Sequence, residues 1–266
     1  MDENWQLPLT IDGSPEAPVL VLGHSLGSSH AMWDAALPDL AGRLRVVRYD
    51  LPGHGGSPIA PGEGPLTMEG LLAALLRSLD AAGVDRFHLA GLSLGGLVAL
   101  CGAEAAADRV LTVSVMSSGP VNLPSQAWWD KARAVRRDGT ASLVDATLER
   151  WFSPAFRATA DGAAAVDRIR RSFLDCDDRG YAQCCEILAT ADGRPGLSRL
   201  SMPALLVTAE GDAGFDWEAA DALARSLREG TCPDVRVVRV QGSRHMSAVE
   251  QPHVVAQALL DRAGAL

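Results

Sequence analysis

Short, unbroken apolar runs alternate along this chain with stretches whose apolar residues recur at helical spacing. Val19-Leu20-Val21-Leu22 reads as a buried strand and Arg45-Val46-Val47-Arg48-Tyr49 as the next. Thr67 to Ala82 carries apolar residues at helical spacing and stops at Gly83, a helix-ending signal. Phe87-His88-Leu89-Ala90 predicts a strand, Leu94 to Ala107 a helix, and Val110 to Met116 a Val-rich strand. The rhythm resumes with a strand over Ala204 to Thr208 and a helix over Trp217 to Arg228. A last strand over Val235 to Val240 precedes a final helix that contains Val254 to Leu260. Strands that are apolar throughout, alternating with helices, predict an α/β fold: a mostly parallel sheet covered by helices on both faces.

Between Gly119 and Leu200 the rhythm breaks. The segment reads as helical and holds Trp128, Trp129, Trp151, Phe152, Phe156 and Phe173. The expected organisation is a core domain from residues 1–118 and 201–266, with a helical cap inserted at 119–200. Ligands of open α/β sheets bind at the carboxyl edge of the strands, so the insert is a candidate lid.

The sharpest local signal is Gly91-Leu92-Ser93-Leu94-Gly95-Gly96. It fits G-x-S-x-G between a predicted strand and a predicted helix, the context in which that motif presents a nucleophilic serine on a strained turn. Small residues two positions either side relieve the clashes such a turn creates. A serine hydroxyl needs a base, and the base needs a carboxylate; with this elbow they follow in the order Ser, Asp or Glu, His. Only His245 and His253 follow Ser93. His245 lies in a loop just after the last strand and is the expected base, whereas His253 follows Pro252 at a helix start. His88 falls inside a strand and His54 in a Gly-rich loop, so both read as structural. Among Glu210, Asp212 and Asp216, Asp212 stands at the expected distance past its strand. The alternative acid position, at the end of the preceding strand, reads Met116-Ser117-Ser118-Gly119 and holds no carboxylate. Oxyanion donors are expected from the backbone N–H of Leu94 and, in the loop Gly23-His24-Ser25-Leu26-Gly27-Ser28, from that of Leu26.

Composition narrows the partners. The chain has 266 residues and a formal charge of −9, which argues against nucleic acid and anionic membranes. Five cysteines, odd in number and without a CxxC spacing, argue against a disulfide framework and for a reducing cytoplasm. Met1-Asp2-Glu3-Asn4 is acidic and lacks an apolar leader segment. No HExxH, EF-hand, GxGxxG or P-loop pattern is present, so neither a metal nor a cofactor is expected. Of 24 basic residues only Lys131 is a lysine.

These residues resemble the α/β-hydrolase fold superfamily across almost the whole chain, and within it the 3-oxoadipate enol-lactonases. The resemblance rests on His24-Ser25-Leu26-Gly27, Met32-Trp33-Asp34, Arg48-Tyr49-Asp50, Pro52-Gly53-His54-Gly55 and the elbow. Leu148-Glu149-Arg150-Trp151-Phe152 and Gly180 to Glu186 look like the enol-lactonase cap, and His245 to Pro252 resembles the stretch around the family's histidine. The chain departs from the pattern in a shortened first hairpin, in Pro52, in Gly211 and Ala213 beside Asp212, and in Lys131, where the family tends to carry Arg. The resemblance implies a carboxymethyl-bearing enol-lactone substrate in aromatic catabolism, with Ser93, Asp212 and His245 as the triad. Its carboxylate needs a cation, for which Lys131 and Arg136 are the candidates, with Arg133 behind them. Trp128 and Trp151 are candidates to wall the pocket. Alternatives with the same triad are a carboxylesterase or lactonase of another substrate, a perhydrolase, or a ligand-binding receptor. Residues 119–200 hold 12 of the 24 basic and 11 of the 33 acidic residues, so the cap is the one region not strongly negative. An anionic substrate is therefore expected to meet its attraction locally, in the cap.

Overall fold

The computed structural model describes residues 4–62, 64–122 and 124–264. The leader-less reading of Met1 to Glu3 falls outside them. Seven strands form one sheet: β1 (Leu9–Asp12), β2 (Val19–Gly23), β3 (Arg45–Tyr49), β4 (Phe87–Leu92), β5 (Val110–Met116), β6 (Ala204–Ala209) and β7 (Val235–Val240). Their order is β1-β3-β2-β4-β5-β6-β7, with β1 antiparallel to β3 and all other neighbours parallel. Every residue of β4 and of β6 is buried, as strands covered on both faces must be. Among the described residues β1 is the one strand that precedes β2.

The helices are α1 (Leu37–Ala41), α2 (Met68–Ala81), α3 (Leu94–Ala105), α4 (Ser125–Asp138), α5 (Val144–Trp151), α6 (Pro154–Arg157), α7 (Ala160–Leu174), α8 (Asp178–Thr190), α9 (Trp217–Glu229), α10 (Ser247–Glu250) and α11 (Pro252–Ala263). The helix α2 begins where Thr67 caps the Gly70 N–H, and it ends just before Gly83, whose φ of 68° is left-handed. The helix α3 stops two residues short of the expected Ala107, at a break made by Ala106. Helices α4 to α8 all lie between β5 and β6 in the chain. Among them α4 packs along α8, and Phe152 and Phe173 are fully buried. A single antiparallel bridge, Val121 with Asp192, ties the start of this segment to its end.

The chain order explains where chemistry collects. From β2 the chain turns to β3 on one side, and β4 then enters on the other side of β2. Such a switch point opens a crevice at the carboxyl ends of β2 and β4. Gly23 is the register partner of Gly91, so the loop after β2 and the turn after β4 leave the sheet at the same level. On the far side, Ala209 pairs with Val240, which brings the loops carrying Asp212 and His245 together.

Candidate active site

Ser93 stands between β4 and α3 with φ 60° and ψ −118°, a left-handed conformation that a non-glycine residue holds only under strain. The glycines around it are required by space. A Cβ on Gly91 would lie 2.1 Å from the Gly95 carbonyl oxygen, and one on Gly95 would lie 2.4 Å from the Gly23 backbone. The tight turn thus packs directly on β2. The side chain of Ser93 opens on a cavity of about 670 Å³ that is also lined by Ser25, Leu26, Trp128, Lys131, Trp151, Asp212 and His245.

Asp212 and His245 meet as their loops require: His245 Nδ1 lies 3.0 Å from Asp212 Oδ2. An ionised carboxylate only accepts, so Nδ1 carries the proton and Nε2 is left free to act as a base. Burial pushes the Asp212 carboxyl up, but the hydrogen bond and charge of His245 and the Gly214 N–H outweigh it, and the group titrates below its ordinary range. The His245 ring stacks on Trp151 at the end of α5, with centroids 6.0 Å apart. Behind the histidine, buried Glu250 accepts the Arg244 N–H at 2.7 Å and the Ser243 hydroxyl at 3.4 Å. It also accepts the Ser153 N–H at 3.0 Å and the Ser153 hydroxyl at 2.5 Å. One carboxylate therefore fastens the histidine loop to the start of α6.

The other two acidic candidates are occupied elsewhere. Glu210 accepts the Gly242 N–H, and Asp216 caps α9 through the Ala219 N–H. His253 is exposed and pairs with Asp39, and His88 bonds Thr112 within the sheet.

The amide groups around Ser93 divide into spent and unspent. Gly95 N–H donates to His24 C=O, Ser25 N–H to Met32 Sδ, Gly27 N–H to His54 Nε2 and Ser28 N–H to Ser25 C=O. The N–H groups of Leu26 and Leu94 have no protein acceptor among the described residues. They flank Ser93 from two loops, at the start of α3 and on the β2 loop, where a developing oxyanion needs donors.

The cations sort by helix face. Lys131 lines the cavity with its Nζ 4.2 Å from the centre of the Trp128 ring. Burial lowers the pKa of its ammonium, and nearby Arg150 lowers it further against the opposing pull of Cys185. Arg136 does not belong to this cavity, contrary to expectation. It pairs with Glu186 in a separate depression of about 400 Å³ lined by Gly62, Arg179 and Gln183. Lys131 and Arg136 are five residues apart on α4, a rotation of roughly 140° at 3.6 residues per turn, so one faces the cavity and the other faces away. Arg133 is exposed and pairs with Asp130. The sequence reading missed Arg150, which lines the cavity beside Trp151; its place next to that tryptophan in α5 was the available clue. It also missed Ser117, which lines the cavity, and Ser25, whose buried hydroxyl has no hydrogen-bond partner among the described residues. Among the described residues no group of His, Cys, Asp and Glu is arranged to hold a metal ion, and no helix is long and apolar enough to cross a membrane.

A family model described as the alpha/beta hydrolase fold matches residues 18–252. The chain is 32% identical over 251 residues to 3-oxoadipate enol-lactonase 1 of Acinetobacter baylyi, covering 94% of this chain and 90% of that one. It superposes on the crystal structure of the enol-lactonase from Burkholderia xenovorans LB400 with a TM-score of 0.89 and 31% identity, covering 97% and 96% of the two chains. It is also 30% identical over 258 residues to a pimeloyl-[acyl-carrier protein] methyl ester esterase of Aromatoleum aromaticum, covering 92% of this chain and 97% of that one.

Proposed function

Because the chain belongs to the α/β-hydrolase fold family and is a hydrolase, we propose that it opens a small carboxylated enol-lactone, 3-oxoadipate enol-lactone, to 3-oxoadipate through an acyl-enzyme in the breakdown of aromatic compounds. One observation carries the reading: Ser93, the His245–Asp212 pair and the cation Lys131 line a single cavity.

In this mechanism His245 Nε2 takes the proton of Ser93 as its oxygen attacks the lactone carbonyl. Asp212 holds Nδ1–H and stabilises the imidazolium that forms. The N–H groups of Leu26 and Leu94 hold the negative oxygen of the tetrahedral intermediate. Its collapse breaks the ring C–O bond, and the leaving enolate takes the proton from Nε2 and tautomerises to a ketone. An enolate is a better leaving group than an alkoxide, so this step asks little acid strength of the protein. Water, deprotonated by His245, then attacks the acyl-enzyme and returns Ser93 to its resting state. The Lys131 ammonium, poorly solvated beside Trp128, receives the carboxylate of the substrate. A lysine provides a point charge there and not the two-pronged grip of arginine, so it orients the carboxylate less tightly. A reducing cytoplasm fits the five free cysteines.

A carboxylesterase acting on a larger ester is the second reading. A cavity of about 670 Å³ exceeds what a five-membered lactone fills, and its wall continues past Leu197 and Phe215 to Leu223 of α9. Purified protein offered the enol-lactone, an aryl acetate and a longer acyl ester separates the two. Turnover of the lactone, lost in Ser93→Ala, supports the first. Turnover of the esters alone supports the second, and no turnover of any substrate removes both.

A further inference from the structure

Two histidines that the mechanism does not use are fully buried: His24, at the start of the loop of residues 24–28, and His54, which bonds that loop at Gly27. Their hydrogen bonds fix their chemistry. His54 Nδ1 is 2.8 Å from the carbonyl oxygen of Pro52, and a carbonyl only accepts, so Nδ1 carries the hydrogen. The other nitrogen, Nε2, accepts the Gly27 N–H at 3.0 Å, which requires a lone pair there. His24 repeats the pattern. Its Nδ1 donates to Ser25 C=O at 2.8 Å and its Nε2 accepts the Leu51 N–H at 2.9 Å. Both rings are thus neutral Nδ1–H tautomers that serve as backbone acceptors.

The consequence falls on the oxyanion donors. Gly27 N–H is next to Leu26 N–H on the same loop, and without His54 both would be unspent. The outer side of the loop is clamped by the cap: a Cβ on Gly27 would lie 2.4 Å from Phe173 of α7. The His54 ring itself stacks on Tyr181 of α8, with centroids 6.0 Å apart at 22°, and tilts against His24 at 5.3 Å. The Gly53 and Gly180 backbones approach so closely that a Cβ on either would strike the other, and Asp177 N–H donates to Gly53 C=O at 2.8 Å. Cap and loop therefore hold His54 rigidly against the amide it accepts.

We propose that His54 is a positioning residue for acyl transfer: by consuming the Gly27 N–H it fixes the peptide plane of the loop so that Leu26 N–H alone points to the oxyanion. The inference rests on the acyl-transfer reading. It deepens that reading by assigning a role to a residue outside the triad and the oxyanion donors.

Two substitutions separate the two hydrogen bonds of the ring. His54→Asn keeps a donor for Pro52 and removes the acceptor at the Nε2 position. His54→Gln places an oxygen near Nε2 and gives up the Pro52 bond. With an aryl acetate, His54→Asn is expected to lower kcat about 10- to 100-fold while KM changes less than about threefold, because only the transition state uses the oxyanion donors. Affinity for an arylboronic acid, which forms a tetrahedral adduct with Ser93, should fall in proportion, and His54→Gln should recover most of both. A folded His54→Asn protein with wild-type kcat overturns the inference, as does a loss confined to KM. A nuclear magnetic resonance measurement on the wild type keeps the test independent of folding. A coupling between the Gly27 and His54 Nε2 nitrogens, with hydrogen on Nδ1, is expected, and hydrogen on Nε2 overturns the inference. If wild-type protein is inert to the aryl acetate, or Ser93→Ala is as active, the acyl-transfer reading itself fails and the inference with it. An active wild type with an equally active, folded His54→Asn sinks the inference alone.

Discussion

Acid should unfold this protein partly through His54. Burial, reinforced by the neighbouring His24, pushes the His54 pKa from 6.5 to about 3, against the pull of its Pro52 hydrogen bond and of Asp50. The folded state therefore resists the proton that the unfolded chain accepts near pH 6.5. Between those values the unfolded state binds more protons, so stability rises with pH; it is complete above pH 6.5 and is lost as pH falls toward 3. With the two pKa values given, the linkage relation yields about 2 kcal/mol lost at pH 5 and a limit of about 5 kcal/mol below pH 3. The ring is wholly enclosed, so no solvent screening reduces these figures. The assay is urea unfolding at pH 7.5, 6.5, 5.5 and 5.0 for the wild type and for His54→Gln, which has nothing to titrate at this position. Other groups near the ring are His24, Asp50 and His30 on the core side, with Asp177 capping α8 and Tyr181 and Cys184 on it. They are present in both proteins, so the comparison isolates the change at residue 54. The stability advantage of the wild type over His54→Gln should shrink by about 2 kcal/mol between pH 7.5 and pH 5. Parallel pH curves for the two proteins refute the reasoning, because they mean that His54 takes up its proton alike in the folded and unfolded states.

Three further outcomes are expected. Lys131→Met, which keeps the stem that packs on Trp128, should raise KM for a carboxylated lactone about tenfold or more and leave a neutral aryl ester unchanged; steady-state kinetics on the two substrates decides this. Glu250→Ala should cost about 3–5 kcal/mol in denaturant melts, because Ser153 and Arg244 lose a shared charged acceptor, and Glu250→Gln should cost less. Asp212→Asn should lower kcat by roughly 10³- to 10⁴-fold while the melting temperature stays near wild type, since an amide donor at Oδ2 forces the imidazole into the wrong tautomer.

Much of the fold and part of the site are local in origin and so can be read from the chain. The boundaries of β3, β5 and β7 follow from short Val-rich runs, and the stop of α2 from Gly83. Ser93 is legible because the strand, the glycines and the helix that define its turn are contiguous, and the turn has the left-handed φ that such a context requires. Asp212 and His245 are legible by position, each in the first loop past a strand, and the structure places them in hydrogen-bond contact. Arg136 shows where this stops. Periodicity says that Lys131 and Arg136 point to different sides of α4, but not which side turns inward. That choice is made by the packing of α4 along α8, where Glu186 takes Arg136.

By itself, then, the sequence determined the alternation of strands and helices, the strained serine turn and the order of the three polar residues, because each depends on neighbours a few positions away. Only the tertiary structure decided which amides remain free, which cation enters the cavity, and that α7 and α8 reach the loops after β2 and β3 through Phe173, Tyr181 and Gly180. All of them depend on groups that the chain does not place side by side, and the last joins residues more than a hundred positions apart, Gly27 with Phe173 and Gly53 with Gly180. No pattern along the chain encodes such contacts, since they arise only when α7 and α8 pack against the loops that follow β2 and β3.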